Sequence, residues 1–165
     1  MPIPAPDGPL GILPPGIHRA TLDELEVAFV DNAPFGDERR LVFQAFRTWF
    51  AFVDAMLPNS RYWIDGGFVT HKTSDPPSDI DVMIFCAGSQ LNALNNLQQQ
   101  RFQQLMTAKD ARGNRVQPMG GVVDAFYTVR GNTDRVIYWR NLWSTVKDQF
   151  GVATGLTKGF VEVLA

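Results

Sequence analysis

The run Asp81-Val-Met-Ile-Phe-Cys86 constrains the fold more than any other stretch of the chain. It is short, rich in β-formers and apolar at both alternating positions. A strand of that kind has no face to give to water, so it belongs in the middle of a sheet covered on both sides. Its neighbours are legible around it. "RYWID" (61–65) reads as a short aromatic strand, "GVVDAFYTV" (121–129) as a third strand alternating around Asp124, and "GLTKGFVEVL" as a short closing strand. Helices fill the intervals. Thr21 with Glu24 three residues on is a capping-box start for a helix over 21–29. Leu41, Val42, Ala45, Phe46, Trp49, Phe50, Val53 and Leu57 recur at helical spacing and predict an amphipathic helix over 37–57. A helix capped by Ser89 is expected over 89–108, "ARGNR" as a turn, and a last helix over 132–150. Helices interleaved with strands in this order predict an α/β (α+β) fold, with a mixed sheet of about four to five strands flanked by helices.

Residues 1–20 carry proline at 2, 4, 6, 9, 14 and 15, which blocks helix and leaves an extended or polyproline-like arm. Residues 21–165 read as one domain, since 165 residues suffice for a single core. The arm lacks the basic start and apolar stretch of a signal peptide. No run of about 18 apolar residues is present, so no membrane span is expected. The single cysteine, Cys86, excludes an internal disulfide and points to a reducing, cytoplasmic setting. It reads as a buried structural thiol. The formal net charge of -2 argues against a general polyanion binder, although a local basic patch is compatible with it.

The chemistry concentrates between Trp63 and Phe85, in "WIDGGFVTHKTSDPPSDIDVMIF". Gly66 and Gly67 follow the first strand, where Phe68-Val69 can open a helical turn. Backbone N–H groups at such a junction can meet phosphate without side-chain obstruction. Asp79 and Asp81 lie two residues apart at the head of the central strand, so both carboxylates project to one side while Ile80 and Val82 enter the core. Two adjacent carboxylates repel unless a cation lies between them, and hard oxygen ligands select Mg2+ or Mn2+. Asp124, set between Val and Ala in another strand, is costly to bury without a partner and is the expected third carboxylate.

Gly66-Gly67, a spacer, then Asp79-Ile80-Asp81-Val82 resembles the signature of the DNA polymerase β-like nucleotidyltransferase superfamily: Gly followed by Gly or Ser, then Asp-hydrophobic-Asp/Glu-hydrophobic. The likeness is closest to a small, uncharacterised nucleotidyltransferase-like family of bacterial and phage proteins. It extends from "LPPGIHRATLDE" (13–24) through "WIDGGFVTHK" and "DIDV" to "YWRNLW" and "KGFVEV", nearly the whole chain. The resemblance implies a minimal nucleotidyltransferase fold. Gly66 and Gly67 would hold the triphosphate of a nucleoside triphosphate, and Asp79, Asp81 and Asp124 would bind two Mg2+ ions. Asp124 would also help deprotonate an acceptor hydroxyl. The reaction would be in-line attack on the α-phosphorus with pyrophosphate leaving. Gly67 stands where Ser is commoner, which removes one hydroxyl contact to phosphate. The acceptor, whether tRNA, a protein or a small molecule, does not come with the resemblance. Small enzymes of this type often sit in toxin–antitoxin or phage-defence systems, so a cognate antitoxin or another protein partner is compatible with it.

The remaining candidates each carry a plain alternative. Lys72 either neutralises a phosphate or is a solvated loop lysine, and His71 is a phosphate or base contact or a surface histidine. Lys158 reaches the triphosphate from the last strand or stays structural. Asp65 is read as a turn cap rather than a support of the site. Thr70, Ser74 and Ser78 support or cap the loop. Arg130, Arg135 and Arg140 form a basic rim for nucleic acid or are solvated. Tyr138, Trp139 and Trp143 read as core, with base stacking by one of them as the alternative, and His18 reads as a packing or capping residue. Two further functions remain beside transfer: a catalytically inactive binding module on the same fold, and a metal-dependent phosphohydrolase, which would usually show more histidine ligands.

Overall fold

The computed structural model describes residues 3–164. Met1, Pro2 and Ala165 lie outside the described residues, and the expectation for Pro2 with them. Strand β1 (Gly16–Ala20) leads into α1 (Leu22–Glu26), a π-helical turn (Val27–Asp31) and the long α2 (Gly36–Met56). Strand β2 (Arg61–Asp65), a 3-10 turn (Gly67–Val69) and β3 (Ile80–Cys86) follow. Then come α3 (Gly88–Ala93), α4 (Asn96–Gln104), the small pair β4 (Ala108–Lys109) and β5 (Arg115–Val116), and β6 (Val123–Val129). Helix α5 (Thr133–Ser144), the pair β7 (Thr145–Lys147) and β8 (Ala153–Thr157), and β9 (Gly159–Leu164) complete the chain.

The main sheet has five strands in the order β1-β9-β2-β3-β6. It is mixed: β1 runs parallel to β9 and β3 parallel to β6, while β2 is antiparallel to both its neighbours. Strand β3 is central and buried, as a run apolar at both alternating positions requires. One face buries Ile64, Val82, Ile84, Ala125, Val161 and Val163 against α1, α2 and α4. Helix α2 supplies Phe43, Phe46, Trp49 and Val53 to this core, all fully buried. Each such side chain contributes roughly 1.5–3 kcal/mol relative to exposure. The other face buries Trp63, Met83, Phe85 and Phe160 under Trp139 and Trp143 of α5.

Several expectations change in the structure. The extended path of the N-terminal residues ends in a strand of the main sheet, because β9 needs a hydrogen-bonded outer neighbour and β1 supplies it. Leu13, just before it, is buried. The helix expected over 89–108 is two helices. Asn95 restarts the chain with its own capping box, accepting from the Gln98 backbone while Gln98 returns a bond to the Asn95 N–H. Ser89 is not the cap of the first; Ala87 holds that position without a side-chain bond. The helix expected over 132–150 stops at Ser144 and becomes the β7–β8 hairpin. There β-branched Thr145 and Val146 favour extension, and Asp148 accepts from the Phe150 and Val152 N–H groups to close the turn. Leu41 faces water and Phe43 takes the core position instead. The capping box at Thr21 is present as expected. Among the described residues no helix is long and apolar enough to cross a membrane.

Candidate functional site

Strand register builds the site. Asp65 on β2 stands opposite Asp81 on β3, and Asp81 stands opposite Asp124 on β6. Cross-strand partners share a face, so three aspartates form a row across three adjacent strands, about 4.8 Å from one strand to the next. Asp79, two residues before Asp81, projects to the same side. Ile80 and Val82 are fully buried on the opposite face. The row therefore lies on the α5 side of the sheet, at the rim of the Trp63–Trp143 cluster.

The row opens into a cleft of about 610 Å3. Gly66, Gly67 and Thr70 form one end of it, and Phe126, Trp139 and Trp143 form an aromatic wall. Arg115, Lys147 and Lys158 are the cations that line it. Leu10 and Ile12 from the N-terminal segment close one side, so the segment read as an arm is part of the cleft. Phe126 and Trp139 pack with ring centroids 5.0 Å apart, and among the described residues the buried Trp139 indole N–H has no hydrogen-bond partner.

Gly66 is left-handed in φ (79°), and a Cβ placed on it would run into the Asp81 carboxylate. Glycine is needed there twice over, for the backbone angle and for the contact. The short helical turn expected after the glycines is the 3-10 turn at Gly67–Val69. Thr70 closes it by donating its hydroxyl to the Gly67 carbonyl, 2.8 Å. Arg39, fully buried in α2, donates to the carbonyls of Pro34 (2.7 Å), Phe29 (3.1 Å), Phe68 (2.6 Å) and Thr70 (2.7 Å). It thus ties the turn to the helical layer, and burial lowers its guanidinium to a pKa of about 10.

The carboxylates have unequal environments. Asp124 is buried, accepts from the Thr107 hydroxyl at 2.7 Å and pairs with Arg115. Asp65 is buried and pairs with Lys158; burial raises its carboxyl, with the lysine opposing. Asp79 accepts from the Gln117 side-chain amide at 2.9 Å. Among the described residues nothing donates a hydrogen bond to the Asp81 carboxylate. Its pKa is pushed up to about 6, chiefly by burial and then by Asp79 and Asp65, against Lys158 and Arg115.

The donor chemistry fits a divalent cation: an orphaned carboxylate with others in register beside it, against a backbone with no side chain to intervene. The three aspartates are not a preformed cage, however. Among the described residues no group of three acidic, histidine or cysteine side chains converges for a metal, Asp124 being held by Arg115 and Thr107 and Asp79 by Gln117.

Other candidates lie elsewhere. Lys72 pairs with Asp75 at 2.8 Å in the exposed loop and does not line the cleft. His71 faces a second, more apolar cavity of about 390 Å3 under the N-terminal segment, bonded to the Ala28 carbonyl at 2.8 Å. Ser74 bonds Asp75 at 2.5 Å, and Ser78 is exposed. Arg130 bonds the carbonyls of Phe85 and Asn59, whereas Arg135 and Arg140 are exposed. Trp139 and Trp143 are core, as expected, but Tyr138 is 55% exposed. Cys86 is buried, its thiol facing the Thr128 carbonyl at 3.7 Å. His18 bonds the Pro14 carbonyl at 2.8 Å.

Sequence reasoning missed Arg115, Gln117, Thr107 and Arg39, and read Asp65, at the end of its strand, as a turn cap rather than a member of the site. Only Asp65 left a usable signal: an antiparallel pairing of "RYWID" with "DVMIF" sets it opposite Asp81.

No curated protein and no solved structure matches the chain. Residues 6–164 match the family DUF6932, described as a family of unknown function, and the chain belongs to that family.

Proposed function

We propose that the protein is a Mg2+-dependent nucleotidyltransferase, moving a nucleoside monophosphate from a nucleoside triphosphate to an acceptor hydroxyl on a tRNA, a protein or a small molecule. The observation that carries the reading is the Asp65–Asp81–Asp124 row with Gly66 against its central carboxylate. Asp79, Asp81 and Asp124 are the residues that would hold Mg2+ or Mn2+, and the ion would supply charge neutralisation at the reacting phosphorus and at the leaving oxygens. Asp81, the least compensated carboxylate, provides the anchoring charge. Asp124, oriented by Thr107, accepts the proton of the acceptor hydroxyl as its oxygen bonds the α-phosphorus and the bond to pyrophosphate breaks. The Gly66–Gly67 backbone lies where the phosphates pass. Phe126 and Trp139 offer a flat apolar surface for a base.

One observation favours a second reading, a catalytically inactive binding module. Asp65, Asp79 and Asp124 already have protein partners in Lys158, Gln117 and Arg115, so three carboxylates are satisfied internally.

The test is calorimetric titration of each common nucleoside triphosphate, with Mg2+ and without, into the wild type and an Asp79→Ala/Asp81→Ala double variant. Mg2+-dependent binding that the double variant loses supports transfer and identifies the preferred base. A folded wild type that binds none of them sinks the transferase reading in favour of the binding module.

A further inference from the structure

Two of the cleft's cations, Lys158 and Arg115, are paired with carboxylates of the row and are held differently. Lys158 is nearly enclosed, its side chain 14% exposed, and its partner Asp65 is 6% exposed. Moving either would strand a buried charge, so this pair is a fixed part of the floor. Arg115 is 55% exposed while its partner Asp124 is 2% exposed. The arginine can leave for water at little cost to itself, whereas Asp124 keeps a counter-charge only if another cation takes its place, which ties the exchange to metal binding.

Asp124 does not need Arg115 to keep its place. The Thr107 hydroxyl donates to Asp124 at 2.7 Å and accepts from the Ala125 backbone N–H at 2.9 Å, which locks the hydroxyl's direction. Nor does Arg115 need Asp124. Its hairpin is held by β4–β5 pairing and by Asp110, which accepts from the Arg112 and Asn114 N–H groups at 2.8 and 2.9 Å. The guanidinium lies 5.6 Å from the centre of the Phe126 ring, a surface that continues into the cleft. The guanidinium already lies over that ring, so leaving Asp124 for the cleft asks for a turn about side-chain bonds rather than a backbone shift. A guanidinium is also the side chain best shaped to grip phosphate with two parallel hydrogen bonds.

We propose that Arg115 is a phosphate-binding residue of the cleft, which exchanges Asp124 for the triphosphate of a bound nucleotide when a divalent cation takes that carboxylate. The inference rests on the nucleotidyl-transfer reading and deepens it. It assigns the triphosphate contact to a residue of the β4–β5 hairpin and leaves Lys158 as the counter-ion of Asp65.

Calorimetry on the full chain tests it with Mn2+ alone and then with each common nucleoside triphosphate in Mg2+, for the wild type, Arg115→Ala and Arg115→Lys. Arg115→Ala should bind Mn2+ as tightly as the wild type or several-fold tighter, since a competitor for Asp124 is gone. The same variant should bind the preferred triphosphate roughly tenfold more weakly or worse, with Arg115→Lys in between. Its thermal midpoint without metal should fall below that of the wild type, because Asp124 loses its counter-charge, and saturating Mn2+ should close the gap. Parallel loss of Mn2+ and nucleotide binding in Arg115→Ala would overturn the proposal by showing a purely structural role. Unchanged nucleotide affinity in that variant would overturn it while leaving nucleotidyl transfer standing. A wild type that binds Mn2+ but no triphosphate would overturn both.

Discussion

Gly66 and Asp81 stand against each other across adjacent strands: the Asp81 carboxylate occupies the space that a side chain on Gly66 would need, with no room for a methyl group. Gly67, its neighbour, is different. A Cβ there meets only the Pro77 side chain at an ordinary 3.8 Å, and its backbone angle needs no glycine.

The two glycines should therefore respond oppositely to substitution. Gly66→Ala displaces the Asp81 carboxylate and forces a non-glycine residue into positive φ. The expected result is a loss of about 1 kcal/mol or more in stability, together with loss of metal binding. Gly67→Ser should fold with an unchanged midpoint and keep metal affinity, since the space is open. Urea unfolding and Mn2+ titration of both variants check this, and equal behaviour of the two would refute the contact argument.

Asp81 should make the protein less stable at neutral pH than in mild acid. Its folded pKa of about 6 lies above the ordinary 3.8, so between these values the folded state binds the extra proton. Stability from this group falls as pH rises through that window, and by pH 7 its ionisation costs about 3 kcal/mol. The facing groups are Asp79 and Asp65, which raise the value, and Lys158 and Arg115, which oppose it. Asp81→Asn should raise the thermal midpoint at pH 7.5 and lose that gain near pH 4.5. Mg2+ should stabilise the wild type at pH 7.5 and leave the variant unmoved. A variant less stable than the wild type at both pH values would contradict the assignment.

Arg39 should be intolerant even of lysine. Its guanidinium satisfies four carbonyls from three segments, and an ammonium cannot span them. Arg39→Met should cost roughly 3 kcal/mol or more, because four carbonyls lose a charged donor at once. Arg39→Lys should recover only part of it. Hydrogen exchange at Phe68 through His71 should rise in both, because the clamp on the turn is gone. Protection retained there would show that the turn is held by the N-terminal segment, through the Gly11 carbonyl and the His71 N–H, instead.

How much of this was legible beforehand follows from the range of each interaction. The burial of Val82 and Ile84, the same-side projection of Asp79 and Asp81 and the Thr21 cap depend on periods of 2 or 3.6 residues, and a sequence displays those directly. The break at Asn95 was hidden because its capping box lies inside an otherwise helical pattern. The β7–β8 hairpin was hidden for a related reason: the apolar spacing of α5 runs on into Val146, whose burial the hairpin satisfies equally well.

The chain by itself determined a central apolar strand, a glycine turn before it and paired aspartates at its head, since local periodicity and backbone sterics suffice for these. Tertiary structure alone decided that β1 joins the sheet beside β9 and that Asp65 completes the carboxylate row. It also decided that Arg115, rather than Lys72, reaches the cleft. Those outcomes depend on strand register and on side chains brought together from distant positions, and no local pattern encodes which of several equally charged residues will meet a given carboxylate.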